Sequence, residues 1–235
     1  MTDTKSTKVV VIGAGGFGRE VMEILKAQNE LQNRWQILGF LDDNGELQNK
    51  TINRFRILGG ISWLSERQDE GIKCVCAIGD TTTRKKVVNK ITKEGGQFCQ
   101  AIHPTVIASE TAEIGEGAII CAGSILTVNL SIDDHCIINL NCTIGHDAMI
   151  EKFCTLNPTV SINGHDTLEE GVYIGSGATL IEGVRVGRWT TVGAGAVVVD
   201  DIPSGVVAVG VPARPIRSKK SEEVPFLHSP EQLHD

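Results

Sequence analysis

The chain has 235 residues and is 41% hydrophobic with seven prolines, a composition that supports a packed core and excludes a wholly disordered chain. It carries 22 Lys and Arg residues against 29 Asp and Glu residues, and the resulting net charge of −7 disfavours nucleic acid as a partner. No apolar run reaches the roughly 20 residues that a membrane span needs, and residues 1–8 lack an apolar signal core. We therefore expect a cytoplasmic protein.

The first hundred residues have the pattern of βαβ units. The pattern predicts four strands, at Lys8–Ile12, Trp35–Leu41, Lys73–Ile78 and Phe98–Ile102, and two helices, at Arg19–Gln28 and Thr82–Lys93. We predict a small Rossmann-like α/β domain over residues 1–103. About four strands make only half of a full dinucleotide-binding fold, so a nucleotide-linked substrate is a better expectation than a nicotinamide cofactor.

A glycine-rich turn joins the first strand to the first helix. Residues 13–18 read Gly-Ala-Gly-Gly-Phe-Gly, a GxGxxG pattern whose backbone N–H groups at a helix start attract phosphate. Asp42 and Asp43 close the second strand, where a carboxylate can accept hydrogen bonds from a ribose or a base. Together these features predict a nucleotide site.

Aliphatic residues recur every six positions through the second half of the chain. The series is Ile114, Ile120, Leu126, Ile132, Ile138, Ile144, Ile150, Leu156, Ile162, Leu168, Ile174, Leu180, Val186, Val192 and Val198. A period of six fits a prism with three flat faces, in which one coil takes eighteen residues. The repeat predicts a parallel β-helix over residues 104–217 with the aliphatic side chains inside.

Small residues and glycines accompany this repeat at fixed places. Small side chains stand four positions after an aliphatic residue, where they fit the corners: Ala118, Ser124, Cys136, Cys142, Ala148, Cys154, Ala178 and Ala196. Glycines directly follow an aliphatic residue at positions 115, 145, 175, 187 and 193, where we expect them to supply backbone freedom at the corners. The polar tail, residues 218–235, has lost the repeat and is expected to be mobile or to cover a neighbouring subunit.

One histidine has the position of a catalytic base. His146 stands two places after Ile144 and follows Gly145, so the repeat projects it outward from the core. An imidazole with an ordinary pKa near 6.5 can take a proton from an amine or hydroxyl at neutral pH, and Asp147 can orient the ring. Taken alone, a Gly-His-Asp triplet is more often a surface histidine beside an acidic neighbour.

These motifs resemble known families. The repeat from Thr105 to Arg214 resembles the hexapeptide-repeat, left-handed β-helix family, whose members are mostly acyltransferases and usually trimers. Residues 1–214 as a whole resemble the sialic acid O-acetyltransferase (NeuD) family and its relatives of PglD type, which N-acetylate nucleotide-linked 4-amino sugars. The string at residues 210–214, Gly-Val-Pro-Ala-Arg, matches that family's GxPA[RK] ending.

The resemblance implies an acetyl-CoA-dependent acetyltransferase that acts on a sugar or nucleotide-sugar acceptor and forms a homotrimer. It implies that His146 is the general base and that Asp147 is its acidic helper. We predict no metal site. The residues implied to lie along acetyl-CoA, in a groove between subunits, are Asn139, Gly164, Ser176, Ala194 and Arg214. We predict that Thr155 and His165 join them there, for the reasons given in the next paragraph. Those implied to bind the acceptor are Gly13, Ala14, Gly15, Asp42, Asp43 and Gly79.

Two positions depart from the family pattern. Phe17 and Thr155 stand where relatives often have histidine, in the acceptor site and against the cofactor respectively. His165 lies nineteen residues after His146, one coil plus one place, so it shares that face and is a candidate for the polar role missing at Thr155. Alternatively, His165 is a solvent-exposed histidine at a corner of the β-helix with no role toward the cofactor.

Several functions stay open at this point. The acceptor group can be an amine, as in N-acetylation of a nucleotide-linked 4-amino-4,6-dideoxy sugar, or a hydroxyl, as in O-acetylation of sialic acid. A trimeric, non-catalytic nucleotide-sugar-binding protein is a remote alternative. A zinc enzyme of the γ-carbonic anhydrase kind needs three converging imidazoles, and the count places His135 on a different face from His146 and His165.

Overall fold

The structure is a computed structural model and describes residues 6–224. The N-terminal domain contains a six-stranded sheet with the order β3-β4-β2-β1-β5-β6, parallel throughout except for the β3–β4 pair. Its strands are β1 (Thr7–Ile12), β2 (Trp35–Leu41), β3 (Thr51–Ile52), β4 (Phe55–Gly59), β5 (Lys73–Cys76) and β6 (Gln97–Phe98). Its helices are α1 (Gly16–Leu31), α2 (Ser62–Ser65) and α3 (Thr81–Lys93), with 3₁₀ turns at Gly45–Leu47 and Gln68–Glu70.

The expected Rossmann-like arrangement is present, with α1 packed on the sheet through Val21, Met22, Ile24 and Leu25. The β3–β4 hairpin is an addition that the sequence reading missed. Its turn residues Asn53 and Arg54 have φ angles of 46° and 73°, as the tight hairpin turn requires, but without the Asn-Gly pair that normally signals it.

The predicted strand Phe98–Ile102 was wrong as a single strand. Gln97–Phe98 pairs with β5 in the N-terminal sheet, whereas Ala101–Ile102 pairs with Ile119–Ile120 in the β-helix. One apolar run therefore supplies a strand to each domain, and the β-helix begins just before the boundary expected at residues 103–104.

Residues 101–209 form the three-faced parallel β-helix, each face a ladder of two-residue strands. The first face contains Ala101–Ile102, Ile119–Ile120, Ile137–Ile138, Thr155–Leu156, Tyr173–Ile174 and Thr191–Val192, then Val206–Val209. The second face contains Ile107–Ala108, Ile125–Leu126, Thr143–Ile144, Ser161–Ile162, Thr179–Leu180 and Val197–Val198. The third face contains Glu113–Ile114, Ser131–Ile132, Met149–Ile150, Thr167–Leu168 and Arg185–Val186.

The register of this helix follows the repeat. Thr155 pairs with Tyr173 and Ile119 pairs with Ile137, each exactly one eighteen-residue coil apart in parallel strands. Every repeat aliphatic from Ile120 to Val198 is at most 1% exposed, and together they form a continuous core. The predicted interior is therefore confirmed.

The corner glycines act differently from our expectation. Gly115 and Gly145 do not have positive φ angles; a Cβ at either would come within about 2.6 Å of backbone atoms in the next coil. The left-handed conformation falls two residues later, at positions such as Asp147 (φ 57°) and His165 (φ 59°). The glycines thus allow close stacking of coils, and the corner turn is made at the third position after each repeat aliphatic from Ile114 to Val192.

A hairpin adds a last strand to the first face. Arg214–Ser218 pairs antiparallel with Val206–Val209. The described part of the predicted tail then packs on its own chain: the Thr82 hydroxyl donates to the Glu223 carbonyl at 3.3 Å, and Glu223 pairs with Arg217 at 2.9 Å. The rest of the predicted tail lies outside the described residues. Within residues 6–224, no helix is long and apolar enough to cross a membrane.

Candidate active site

His146, Asp147 and His165 form a cluster at the corner between the second and third faces. His146 Nδ1 lies 2.9 Å from Asp147 Oδ2, so the ring N–H can donate to the carboxylate and leave Nε2 to accept a proton. The two imidazole rings meet edge to face with their centroids 5.1 Å apart, and His165 Nε2 lies 3.9 Å from the same carboxylate oxygen. The hydrogen bond from His146 lowers the pKa of Asp147, which keeps the carboxylate ionised.

Gly164 forms the floor beneath the His146 ring. A Cβ at this position would come within 2.7 Å of His146 Nε2, so a larger residue here would displace the imidazole from its present position. Within residues 6–224, the Gly164 N–H donates no hydrogen bond. The corner therefore combines a proton acceptor with a nearby backbone donor, the two groups that acyl transfer needs.

Within residues 6–224, the same cluster is the group of side chains that could hold a metal ion. Ligand atoms of His146, Asp147 and His165 all lie within 4.8 Å of one another. They provide two imidazoles, whereas a zinc site of the γ-carbonic anhydrase kind needs three. His135 lies at the domain junction, stacked on Phe153 at a centroid distance of 5.3 Å and 8% exposed.

The predicted cofactor residues are divided between two edges of the prism. Asn139, Ser176 and Ala194 each follow a first-face strand by one or two residues, so they line the edge between the first and second faces. Gly164 and His165 lie on the edge between the second and third faces, beside His146. One face of the prism separates these edges, a span of at most roughly 20 Å for six residues.

A cavity of about 760 Å³ lies between the N-terminal domain and the first face of the β-helix. Gly79 and the start of α3 form one wall, and the first face forms the other with Asn139 and Thr155. Phe17 also lines it, whereas His146 does not. The cavity thus joins part of the predicted acceptor site to part of the predicted cofactor edge, without the predicted base.

Known proteins are similar to this chain over most of its length. Residues 8–91 match the family described as the PglD N-terminal domain. Residues 167–200 match the family described as bacterial transferase hexapeptide (six repeats). Perosamine N-acetyltransferase from Caulobacter crescentus, solved as a histidine-to-asparagine mutant in complex with CoA and GDP-perosamine, is 31% identical with a TM-score of 0.83. That comparison covers 90% of this chain and 97% of the other. The chain belongs to the hexapeptide-repeat acyltransferases with a PglD-type N-terminal domain.

Two further relatives agree with this membership. The acetyltransferase domain of PglB from Neisseria gonorrhoeae FA1090, in complex with acetyl coenzyme A, is 29% identical with a TM-score of 0.82, covering 90% of this chain and all of that one. UDP-N-acetylbacillosamine N-acetyltransferase of Bacillus subtilis (strain 168) is 32% identical over 123 residues, 48% of this chain. The matched part spans about half (51%) of that curated relative. The left-handed β-helix expected from the repeat is the fold of this family.

In this acyltransferase the two predicted acceptor carboxylates have different partners, and only Asp42 holds the glycine loop. The Ala14 N–H donates to Asp42 Oδ2 at 2.8 Å, and the Asn44 N–H donates to Asp42 Oδ1 at 2.9 Å. The Ile61 N–H donates to Asp43 Oδ1 at 2.8 Å, which leaves Oδ2 of that exposed side chain available. Asp42 therefore shapes the loop, and Asp43 is the carboxylate better placed to meet a ligand.

Glycine is required within this loop for two separate reasons. Gly13 has a φ angle of 94°, and a Cβ at Gly18 would overlap the Gly13 carbonyl where α1 packs against the turn. Gly15, by contrast, is exposed and a Cβ there would meet nothing within 4 Å. Its missing side chain leaves open space at the start of α1, where a phosphate can approach the backbone.

Thr155 and Arg214 have partners within the chain. Thr155 is 2% exposed, and its hydroxyl donates to the Gly79 carbonyl at 3.1 Å while it accepts from Arg84 at 2.9 Å. Arg214 is exposed and pairs with Asp200 at 2.9 Å. Their roles toward a cofactor stay predictions.

The cysteines are poor nucleophiles in this fold. Cys136, Cys142 and Cys154 are buried in the β-helix core, as their place in the repeat predicted. Burial raises the pKa of Cys142 to about 11 and that of Cys121 to about 12, so these thiols stay protonated at neutral pH. This disfavours an acyl-cysteine intermediate and favours direct transfer.

Most of the cavity lining was missed in the sequence, including three polar residues of the first face. Asn157 lies one coil after Asn139, and Tyr173 and Thr191 lie one and two coils after Thr155, all lining the cavity. The same eighteen-residue count that located the core would have found them, because residues one coil apart stack on one face.

Proposed function

We propose that this chain transfers the acetyl group of acetyl-CoA to the amino group of a nucleotide-linked 4-amino-4,6-dideoxy sugar. The observation that carries the proposal is the likeness over both domains to the perosamine N-acetyltransferase, whose structure contains CoA and GDP-perosamine. The glycine loop and Asp43 supply an acceptor site in the N-terminal domain, and the His146 corner supplies the base.

In the proposed reaction the sugar amine attacks the thioester carbonyl of acetyl-CoA, and His146 Nε2 takes the proton that the nitrogen loses. The Asp147 carboxylate holds the ring and stabilises the imidazolium, as the 2.9 Å contact allows. The Gly164 N–H stabilises the oxyanion of the tetrahedral intermediate. The C–S bond then breaks, CoA leaves as thiolate, and the imidazolium returns the proton to it.

We further propose that the active form is a homotrimer. Asn139, Ser176 and Ala194 occupy one edge of the prism while His146 and Gly164 occupy the next. Packing the first edge of one subunit against the second edge of a neighbour gathers both sets along one groove. Such packing also brings a base to the cavity, whose own lining does not include His146.

The assembly can be tested by light scattering at micromolar concentration. A mass near three times the 25.2 kDa of the chain is expected. A stable monomer would contradict the shared groove and favour a ligand-binding role for the N-terminal domain alone.

The activity is tested by release of free thiol from acetyl-CoA with a panel of acceptors. The panel contains nucleotide-linked 4-amino sugars that differ in base, the same compounds with a hydroxyl in place of the amine, and free sialic acid. We expect turnover only with the amines. Turnover with sialic acid alone would replace the proposal with O-acetylation, and binding without any turnover would indicate a nucleotide-sugar sensor.

A further inference from the structure

Arg84 is a fully buried cation at the junction of the two domains. It lies in the first turn of α3 and is 1% exposed. Its Nη1 donates to the carbonyls of Ile78 and Gly79 at 2.7 and 3.1 Å, both in the loop that follows β5. This end of the guanidinium therefore holds the loop that forms one wall of the cavity.

The other nitrogens of Arg84 hold the β-helix. Nε donates to the His135 carbonyl at 2.9 Å, and Nη2 donates to the carbonyls of Phe153 and Cys154 at 2.7 and 3.1 Å. Nη2 also donates to the Thr155 hydroxyl, which itself donates to the Gly79 carbonyl. One planar group thus ties the loop directly to the first face.

All of these hydrogen-bond partners are carbonyl or hydroxyl oxygens, and none is a carboxylate. Removing a guanidinium from water costs several kcal/mol, and apolar residues can join two domains without that cost. What the guanidinium adds is direction, because its five N–H donors lie in a rigid plane and each acceptor must meet one of them. The contact therefore specifies the position of the loop as well as joining the domains.

We propose that Arg84 is a positioning residue of the acceptor site, which with the Thr155 hydroxyl fixes the Gly79 loop against the β-helix and sets the width of the groove between the two domains. The role rests on the proposed function, because the groove is where an acceptor held by the N-terminal domain approaches the acetyl donor. It also gives Thr155 a task that a histidine at that position could not perform in the same contact, since its small hydroxyl fits between Gly79 and Arg84.

The test compares two substitutions at Thr155. Thr155→Val keeps the shape and removes both hydrogen bonds, whereas Thr155→Ser keeps both. For Thr155→Val we expect the KM for the acceptor to rise about tenfold, a loss equal to about 1.4 kcal/mol, while the dissociation constant of acetyl-CoA stays unchanged. Thr155→Ser should restore the acceptor KM to near the wild-type value.

Hydrogen exchange supplies a readout that does not depend on turnover. The Thr83 and Arg84 amides donate to the Asp80 side chain and carbonyl, next to Gly79, so a released loop should exchange faster there. We expect peptides spanning residues 78–86 to exchange about tenfold faster in Thr155→Val, with β-helix peptides unchanged. Lys85→Met is the comparison at the same junction, because it removes the 2.6 Å ion pair with Glu170 and the contacts of the ammonium with the Phe153 and Trp189 rings, while both hydrogen bonds of the Thr155 hydroxyl stay in place.

Either of two results overturns the positioning role: unchanged exchange over residues 78–86 in Thr155→Val, or a weaker acetyl-CoA affinity with an unchanged acceptor KM. The second result would make Thr155 a direct cofactor contact. If the wild type acetylates no sugar in the panel, the proposed function fails, and the exchange measurement still decides whether the Thr155 hydroxyl acts with Arg84 in holding the loop.

Discussion

The β-helix and the N-terminal α/β domain place their site residues by different means. In the β-helix, a position in the six-residue repeat determines where a side chain lies, so His146, Gly164 and His165 meet at one corner because they are about one coil apart. In the α/β domain, individual contacts shape the site, such as the bond from the Ala14 N–H to Asp42, 28 residues away. A substitution in the first region should therefore act locally, and one in the second should reach further.

The largest effect tests whether the chemistry belongs to the β-helix. His146→Ala should lower kcat by about 10²- to 10⁴-fold, the usual contribution of a positioned base, with folding retained because the side chain is exposed. Steady-state kinetics and thermal unfolding measure the two. His103→Ala is the control, because the hydrogen bonds of the His103 side chain within residues 6–224 all go to Thr105. More than about a tenth of the wild-type rate in His146→Ala would remove it as the base.

The next effect concerns the junction between the two regions. His135 is buried between Phe98 and Phe153, and burial lowers its pKa to about 4 from an ordinary 6.5. The unfolded chain therefore binds this proton at a higher pH than the folded chain does. Stability from the neutral ring is complete above pH 6.5 and is lost as the pH falls toward 4, by about 2 kcal/mol at pH 5.

His135→Phe isolates the contribution of this histidine to the pH dependence of the free energy of unfolding. The phenyl ring keeps the stacking and removes the buried Nδ1, which has no hydrogen-bond partner within the described residues. Chemical denaturation at pH 7.5 and pH 5 should show a smaller loss of unfolding free energy in the variant than in the wild type, by about 2 kcal/mol. Equal losses would mean that His135 is solvated in the folded protein.

These contrasts show how far the sequence could predict this molecule. The core of the β-helix, the outward place of His146 and the alignment of His165 with it all follow from a count of six, because every coil repeats the same local geometry. The contact of Arg84 with Thr155 joins residues that are 71 positions apart and lie in different domains. No local sequence pattern predicts such a pair.

A third measurement tests the α/β domain. Gly15→Val should raise the acceptor KM by at least about tenfold, because its side chain enters the open space where a phosphate would approach, and it should leave acetyl-CoA affinity unchanged. The fold should tolerate it, since a Cβ at Gly15 meets nothing within 4 Å. Calorimetry with each ligand separates the two affinities, and Gly15→Ala should give a smaller rise. Tight binding of NADH by the wild type would contradict the assignment of this loop to the acceptor.

The smallest effect is expected one residue after the base. Asp147→Asn keeps a side chain that suits the left-handed conformation (φ 57°) and an oxygen that can accept from His146 Nδ1, but it loses the negative charge. We expect a loss of about three- to tenfold, in kcat more than in KM, because the ring stays oriented while the imidazolium loses its counter-charge. Asp134→Asn, which removes a partly exposed carboxylate at another corner, controls for surface charge and should leave turnover unchanged. A loss as large as that of His146→Ala would show that the charge of Asp147, and not only its hydrogen bond, is indispensable to the base. No loss would leave His146 acting without its neighbour.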